Sequence, residues 1–481
     1  MDIMDIMIGL TSYGLHIPRY RLDLETIKNA WGNISGRGER SIANYDEDSL
    51  SMAAQAVLDC KEDQSPNEKI AGLYYCSTTS PYKEKLASTI IADVADLGSE
   101  IDTADFSNSL RSGTSALKVA LDSMKSRNNS SIIVASDCRL AEPGSVWESV
   151  LGNGAGALSI GGADLIAVIE GFYSLSTNFT DFWRLERDKY VKTSDSRFTQ
   201  VHGLMEIGEQ AVKNTLNKFQ LNPENFSKIV ISSLDKNSQM QFAKALGFDV
   251  TKQLSSIVFD SVGNTGTAHS FLILISVLEN SEPGDKILFI NYGDGADVFI
   301  FKVVEGIRRI KNKMKFKTSL EYKRKLSNYV KYLVFKNMIK KNPEPEMFSS
   351  SILEWREHKQ NLGLYGTRCL ECSRIYYPMR RICPHCGSQD KYEEVKMSRR
   401  GKVHTFNRDR VFVCPDPPLI MVVVDLDDGG RFYGQMTDCG EEEIDIGLPV
   451  ELVFRKFHDA KGFVNYFWKA RPFPAKSSII C

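Results

Sequence analysis

The chain has 481 residues, 42% hydrophobic and 10% aromatic, and its 60 basic and 61 acidic residues leave a net charge of −1. That length and apolar content suffice for two or three cores, and the charge balance excludes a generally basic nucleic-acid binder. No apolar run reaches the roughly 18–20 residues a membrane span needs, and MDIMDIMIGL lacks the basic flank of a signal peptide, so the chain reads as cytoplasmic with no membrane partner.

From Met7 to about Val304, short apolar runs rich in β-branched residues alternate with amphipathic stretches, the pattern of a layered α/β core. GLYYCS (72–77), SIIVASD (131–137), GALSIG (156–161), KIVISSL (228–234) and KILFINYGDGADVFIFKVV (286–304) read as strands, and SLSMAAQAVLDC and SALKVALDSMKS as helices. The strands near 72 and 131 are echoed near 228 and 288. Each pair is separated by a small-residue corner and a helix (106–126 and 261–279), which predicts an internal duplication, with halves at 1–165 and 166–341.

The first corner, FSNSLRSGTSAL (106–117), has the composition of a strand-to-helix turn that presents a nucleophile to a helix N-terminus, with helical periodicity resuming at Ala116. Its apex falls on Leu110, which has no nucleophilic atom.

Residues 306–341 are strongly basic, with Tyr, Leu and Phe at helical spacing. They read either as a solvated helical extension or as a site for an anionic ligand or partner. NPEPEMFSSS (342–351) reads as a linker.

A second module follows, with a helix and ribbon over 352–392. In CLECSRIYYPMRRICPHC, Cys369 and Cys372 form one C-x-x-C knuckle and Cys383 and Cys386 another. Two such knuckles supply four thiolates to one tetrahedral ion with no open position, which predicts a structural zinc site. His385, inside the second knuckle, is a bystander. The other cysteines (Cys60, Cys76, Cys138, Cys414, Cys439, Cys481) have no framework spacing, as in a reducing compartment. Over 393–481, alternating strands separated by PDPP, DDGG and DAKG predict a small five-stranded β-barrel of the OB type. Its acids (Asp425, Asp427, Asp428, Asp438, Glu441, Glu442, Glu443, Asp445) argue against a nucleic-acid groove.

Several stretches together are specific. NYDEDSLSMAAQAVLD, TSPYKEKLASTIIA, SLRSGTSALKVAL, LGNGAGALSIG, TDFWRLERDKYVKTSDSRFTQ, AKALGF, SVGNTGTAHS and PGDKILFINYGDGADVF resemble, in the same order over roughly 7–335, the thiolase-superfamily condensing enzymes. The resemblance is greatest to archaeal-type 3-hydroxy-3-methylglutaryl-CoA (HMG-CoA) synthases and the related ketoacyl synthase III enzymes. It implies a duplicated five-layer α/β/α/β/α fold and a homodimer. From EWREHKQNLGLYGTRCLEC onward the chain is similar to acyl-CoA-associated zinc-ribbon/OB-fold proteins, which implies coenzyme A or acyl-carrier thioesters as ligands.

The family's chemistry uses a Cys nucleophile, a Glu acid/base, a His and an Asn. Carried over, the Cys position falls on Leu110 and the Glu position on Thr78. ISSLDKNSQMQF (231–242), where the family places its His, contains none, whereas Asn264 of the GNTG loop is present. The resemblance thus implies a retained fold with its triad lost. Substitutes are few. Ser109 and Ser112 flank the apex without a local base, and Cys76 and Cys138 lie at strand ends, where cysteine is ordinarily a core residue. His202 and His269 are the histidines expected nearest the pocket, His269 as a helix residue or in a polar role. These readings together predict a non-catalytic synthase-like subunit whose thiolase or ketoacyl-synthase partner carries the active Cys. The alternatives are a divergent acyltransferase working through Asn264 and backbone donors, and a regulatory or nucleic-acid-binding ribbon/OB protein.

Overall fold

The computed structural model describes residues 7–32, 37–65, 68–127, 129–233, 235–339, 348, 350–460 and 463–473. The chain divides into two compact units: Met1–Ala43, Met52–Ile91 and Leu97–Tyr332 form the first, and Asn44–Ser51, Ala92–Asp96 and Leu333–Cys481 the second. The units are therefore not collinear with the sequence. The stretch read as a linker lies outside the described residues, apart from Phe348, Ser350 and Ser351.

Nine strands of the first unit join into one mixed sheet: β1 (Gly9–His16), β2 (Ile70–Cys76), β3 (Asp102–Phe106), β4 (Ser130–Asp137), β5 (Gly154–Gly161), β6 (Ala167–Ser176), β7 (Lys228–Ser232), β8 (Lys286–Tyr292) and β9 (Gly295–Val303). Their spatial order is β7-β8-β9-β6-β1-β5-β4-β2-β3. In the first half β2 and β4 pair in parallel, then β4 with β5 and β5 with β1 antiparallel. The second half repeats this with β7 parallel to β8, then β8–β9 and β9–β6 antiparallel. A parallel bridge from Ile229 to Leu254 stands where the first half has β3. The duplication read from the sequence is present, and within the sheet the halves pair at Gly9↔Val168 and Leu10↔Ala167.

The helix α1 (His269–Leu278) shows how the two halves of the sheet share a core. All ten of its residues are buried, and it packs against β7 and β8 of one half and β5 and β1 of the other. A helix apolar on every face has no solvent side and must occupy a central layer. Each large side chain so buried contributes about 1.5–3 kcal/mol. The corresponding first-half helix, α2 (Ser112–Arg127), begins four residues earlier than the periodicity indicated. Its first residues are small because a Cβ on Gly113 would already sit 3.2 Å from the Phe271 ring of α1. Close packing, not a turn, accounts for the small residues from Ser112 to Thr114.

Much of the basic extension has internal partners. Lys315 Nζ lies 2.6 Å from Asp63 and 3.2 Å from Asp59, Lys323 pairs with Glu39 at 2.6 Å, and Arg309 donates to the carbonyl of Thr11 at 2.9 Å. The Tyr329 hydroxyl donates to Glu148 at 2.7 Å. Glu279, buried beside this cluster, accepts from the amide of Phe316 at 2.7 Å, and burial raises its pKa to about 7. These contacts favour the structural reading of the extension.

In the second unit, β10 (Tyr365–Cys369), β11 (Ile375–Tyr376) and β12 (Tyr392–Lys396) form a three-stranded antiparallel ribbon. The strands β13 (Arg400–Asp409), β14 (Leu419–Leu426), β15 (Arg431–Gln435), β16 (Pro449–Ala460) and β17 (Phe463–Pro472) follow in the order β15-β14-β13-β16-β17. A bridge between Met436 and Ala470 links the two ends, closing the barrel. Among the described residues, no helix is long and apolar enough to cross a membrane.

Candidate functional site: a retained corner and a four-cysteine centre

The corner after β3 is held by Ser109 before its apex and by charged groups after it. Ser109 caps the turn, its carbonyl accepting from Ser112 N at 3.1 Å and its hydroxyl from Arg111 N at 3.3 Å. Arg111 reaches Asp297 at 3.1 Å, Ser176 Oγ at 3.0 Å and the carbonyl of Asp294 at 3.1 Å. Asp297, fully buried, also takes Lys118 at 2.8 Å and the Thr114 hydroxyl at 2.6 Å. A Cβ on Gly293 would lie 3.2 Å from Leu110 Cβ, so the apex packs closely against the β8–β9 turn. The apex of the corner thus presents a hydrocarbon packed against that turn.

The neighbouring groups converge on a residue the sequence reading passed over, Asp137 at the end of β4. Its Oδ1 accepts from Thr78 N (2.8 Å), Ser77 Oγ (3.0 Å) and Thr79 Oγ1 (2.8 Å), and its Oδ2 from Thr78 Oγ1 (3.1 Å) and Thr267 N (2.8 Å). A carboxylate with both oxygens so engaged has little capacity left to accept further hydrogen bonds. Gly266, at φ +64°, lets the GNTG loop approach: a Cβ there would meet Asp137 Oδ2 at 2.3 Å. The Gly266 amide donates in turn to Asn264 Oδ1 at 2.9 Å, and Asn264 Nδ2 donates to the Ser233 carbonyl at 2.9 Å. Thr78 and Asn264 thus belong to one network, and both ends of the Asn264 amide already bind backbone. The available signal for Asp137 was one acid closing an otherwise uncharged strand.

The other candidates fall apart spatially or chemically. Cys76 is fully buried, and burial, reinforced by Asp105 and Asp137, raises its pKa, keeping it a thiol. Cys138 is half-buried, and its amide donates to Thr79 Oγ1 at 2.8 Å. Ser109 Oγ lies 3.4 Å from the Gly293 carbonyl, which is no base. Ser112 Oγ is buried with no partner among the described residues. His202 is exposed, 2.9 Å from Glu206. His269 is fully buried, edge-on to Phe259 at 4.4 Å between ring centres, and neither ring nitrogen has a partner among the described residues. Burial and then Arg139 lower its pKa to about 3, so it is neutral.

The ribbon contrasts with this. Its two knuckles are built alike: Ser373 N donates to the Cys369 carbonyl (2.8 Å) and Gly387 N to the Cys383 carbonyl (3.0 Å). Likewise Cys369 N donates to the carbonyl of Arg374 and Cys383 N to that of Ser388, both at 2.9 Å. Ser373 and Gly387 both take positive φ, 60° and 73°, which turns each loop back and points its thiols inward. The four sulfurs of Cys369, Cys372, Cys383 and Cys386 lie within 4.8 Å of one another, two pairs at 3.7 and 3.5 Å. A tetrahedral ion with Zn–S bonds of about 2.3 Å sets sulfur separations near about 3.8 Å, so the group suits zinc. Tyr376 Oη, 3.5 Å from Cys383 Sγ, leads the causes that lower that thiol's pKa, favouring the ligating form. His385 is exposed and outside the group of four.

Comparison with known proteins agrees with both halves of this description. Residues 356–391 match the family model described as the ChsH2 rubredoxin-like zinc ribbon domain, and residues 394–455 that of the ChsH2 C-terminal OB-fold domain. The chain is similar to the hydroxymethylglutaryl-CoA synthase of Methanopyrus kandleri, 30% identical over 318 residues, covering 64% of this chain and 90% of the relative. Against the Archaeoglobus fulgidus enzyme it is 28% identical over 340 residues, covering 68% and 97%. Among solved structures, MvaS in complex with 3-hydroxy-3-methylglutaryl coenzyme A superposes with a TM-score of 0.62 at 17% identity, covering 72% of this chain and 95% of that one. PksG, an HMG-CoA synthase from Bacillus subtilis, gives 0.61 at 16%, covering 71% and 92%. The shared thiolase-type fold and the extent of the match to the M. kandleri enzyme show that the chain belongs to the hydroxymethylglutaryl-CoA synthase family, with a zinc-ribbon and OB module in the same polypeptide.

Proposed function

We propose that this chain is a non-catalytic synthase-like subunit of a multi-subunit thiolase-type acyltransferase acting on acyl-CoA or acyl-carrier thioesters. The active Cys resides in a separate thiolase or ketoacyl-synthase partner. The fused ribbon and barrel contribute to holding the coenzyme A portion, and two copies of the chain associate through the synthase-like core. The reaction class is Claisen carbon–carbon bond formation or cleavage, or C-acylation.

The observation that carries this reading is the state of the corner. Leu110 stands at the apex, Thr78 donates to Asp137, and that carboxylate already accepts five hydrogen bonds. Acyl-enzyme chemistry needs a nucleophile with an adjacent base, and the groups assembled here bind one another instead. The relatives' association with HMG-CoA chemistry and the retained fold support the thioester class.

The test is incubation of the purified chain alone with radiolabelled acetyl-CoA, following both product formation and protein labelling. We expect neither; transfer without a partner, or a label on Ser109, Cys76 or Cys138, would overturn the reading. Leu110→Cys alone should leave condensation undetectable, because Thr78 stands at the Glu position and the 231–242 segment contains no His. Free-thiol release above background from that variant would contradict the proposal.

A further inference from the structure

The second unit is built from three separated stretches, and one of them, Asn44–Ser51, supplies charges to its centre. Arg455 on β16 and Lys469 on β17 are neighbours in the barrel wall, in the register that sets Val453 opposite Lys469 and Arg455 opposite Phe467. Both side chains are 1% exposed. Among the described residues, one carboxylate facing them comes from the barrel segment: Asp438 Oδ2, 2.5 Å from Arg455 Nη2. The others are Asp46 and Glu47. Lys469 Nζ lies 2.9 Å from Asp46, and Arg455 Nη1 faces Glu47 and, at 3.7 Å, Asp46 as ion pairs rather than through aligned hydrogen bonds.

The backbone and neutral groups of the same turn are also engaged. Lys456 N donates to the Asp46 carbonyl at 2.9 Å, Asn44 Nδ2 to Asp438 Oδ1 at 3.0 Å, and the Tyr466 hydroxyl to Asp48 at 2.6 Å. Lys469 Nζ also stands 5.4 Å from the centre of the Tyr45 ring.

With the turn in place, three carboxylates balance two buried cations. Without it, one carboxylate would face two, and Lys469 would lose the carboxylate nearest to it. A charge left buried without its counter-ion is strongly disfavoured, so these barrel strands have a chemical requirement for an acidic segment.

We propose that the turn NYDED (44–48) is a docking element which the barrel binds as an anionic ligand. The second unit then stays assembled when the polypeptide between 341 and 350 is cut, and the Arg455/Lys469 face is closed to any other acidic partner. This inference is independent of the acyltransferase reading, and its test uses no thioester and no partner subunit.

The experiment inserts a specific protease site between Pro345 and Glu346 of the full chain, cleaves the folded protein and applies size-exclusion chromatography. The two fragments should co-elute at equal stoichiometry, at 0.1 M and at 1 M salt, because buried pairs are little screened. In the Asp46→Ala/Glu47→Ala double variant, cut the same way, the C-terminal fragment should elute separately. Should that variant fail to fold, the volume-conserving Asp46→Asn/Glu47→Gln pair replaces it, with at least a tenfold faster fragment dissociation expected. Separation of the parent fragments on cleavage overturns the proposal, as does undiminished co-elution of the neutralised variant.

Discussion

The corner at Leu110 and the knuckles at Cys369–Cys386 are both tight turns packed with polar groups, yet their polar atoms point to opposite ends. In the ribbon, backbone hydrogen bonds satisfy the turn and leave four thiols converging at the spacing that suits one tetrahedral ion. At the corner, side chains satisfy one another: Asp137 takes the hydroxyls and amides of 77–79 and Thr267, while Asp297 takes Arg111, Thr114 and Lys118. The ribbon therefore gathers its thiols at one point, whereas the polar side chains around the corner bind one another.

The sharpest way to break this comparison is to remove a ligand from the ribbon. Cys372→Ser should abolish stoichiometric zinc binding and amide-exchange protection over 365–396, leaving protection of the nine-stranded sheet intact. Structural zinc binding is typically worth about 10–16 kcal/mol in small domains. Metal analysis and hydrogen-exchange mass spectrometry give both readouts, and a ribbon protected without metal would show that the knuckles fold unaided.

Asp137→Ala is the matching change at the corner. It leaves the donors of Ser77, Thr78, Thr79 and Thr267 without their acceptor in a buried setting, and should cost about 3–4 kcal/mol in denaturant unfolding of the first unit. A loss under about 1 kcal/mol would mean that Asp137 is not what holds these loops together.

The smallest effect concerns charge rather than turns. Burial raises the Glu279 pKa from 4.5 to about 7 in the folded chain, so between those values the folded state holds more protons than the unfolded. Stability contributed by this group should therefore fall as pH rises from about 4.5 to 7, by on the order of 2 kcal/mol. Glu279→Gln keeps an acceptor for Phe316 N and removes the slope, so the variant should gain on the parent at pH 8 and match it at pH 4. Urea titrations at the two pH values decide it; parallel pH profiles would show that Glu279 ionises freely.

The ribbon was fully legible because its information is local: two C-x-x-C pairs separated by ten residues between Cys372 and Cys383 carry ligand number, spacing and geometry within 18 residues. The strands of both units were legible for the same reason, since alternation and β-branching act over a few residues. The start of α2 was not. Small residues signal both a turn and a close helix contact, and only Phe271, over 150 residues away, shows which applies. Asp137 was missed because one Asp at a strand end has no pattern of its own.

The sequence by itself determined the class of each element, the duplication, the four-cysteine group suited to zinc and the hydrocarbon side chain of Leu110, all of which rest on residue identity and short-range period. Tertiary structure alone decided that Asp137 gathers the 77–79 and 266–267 loops, that the basic stretch pairs internally, and that Asp46 and Glu47 neutralise Arg455 and Lys469 some four hundred residues later. The physical reason is that a charge's partner is selected by burial and distance. Neither is written in the spacing of residues along the chain.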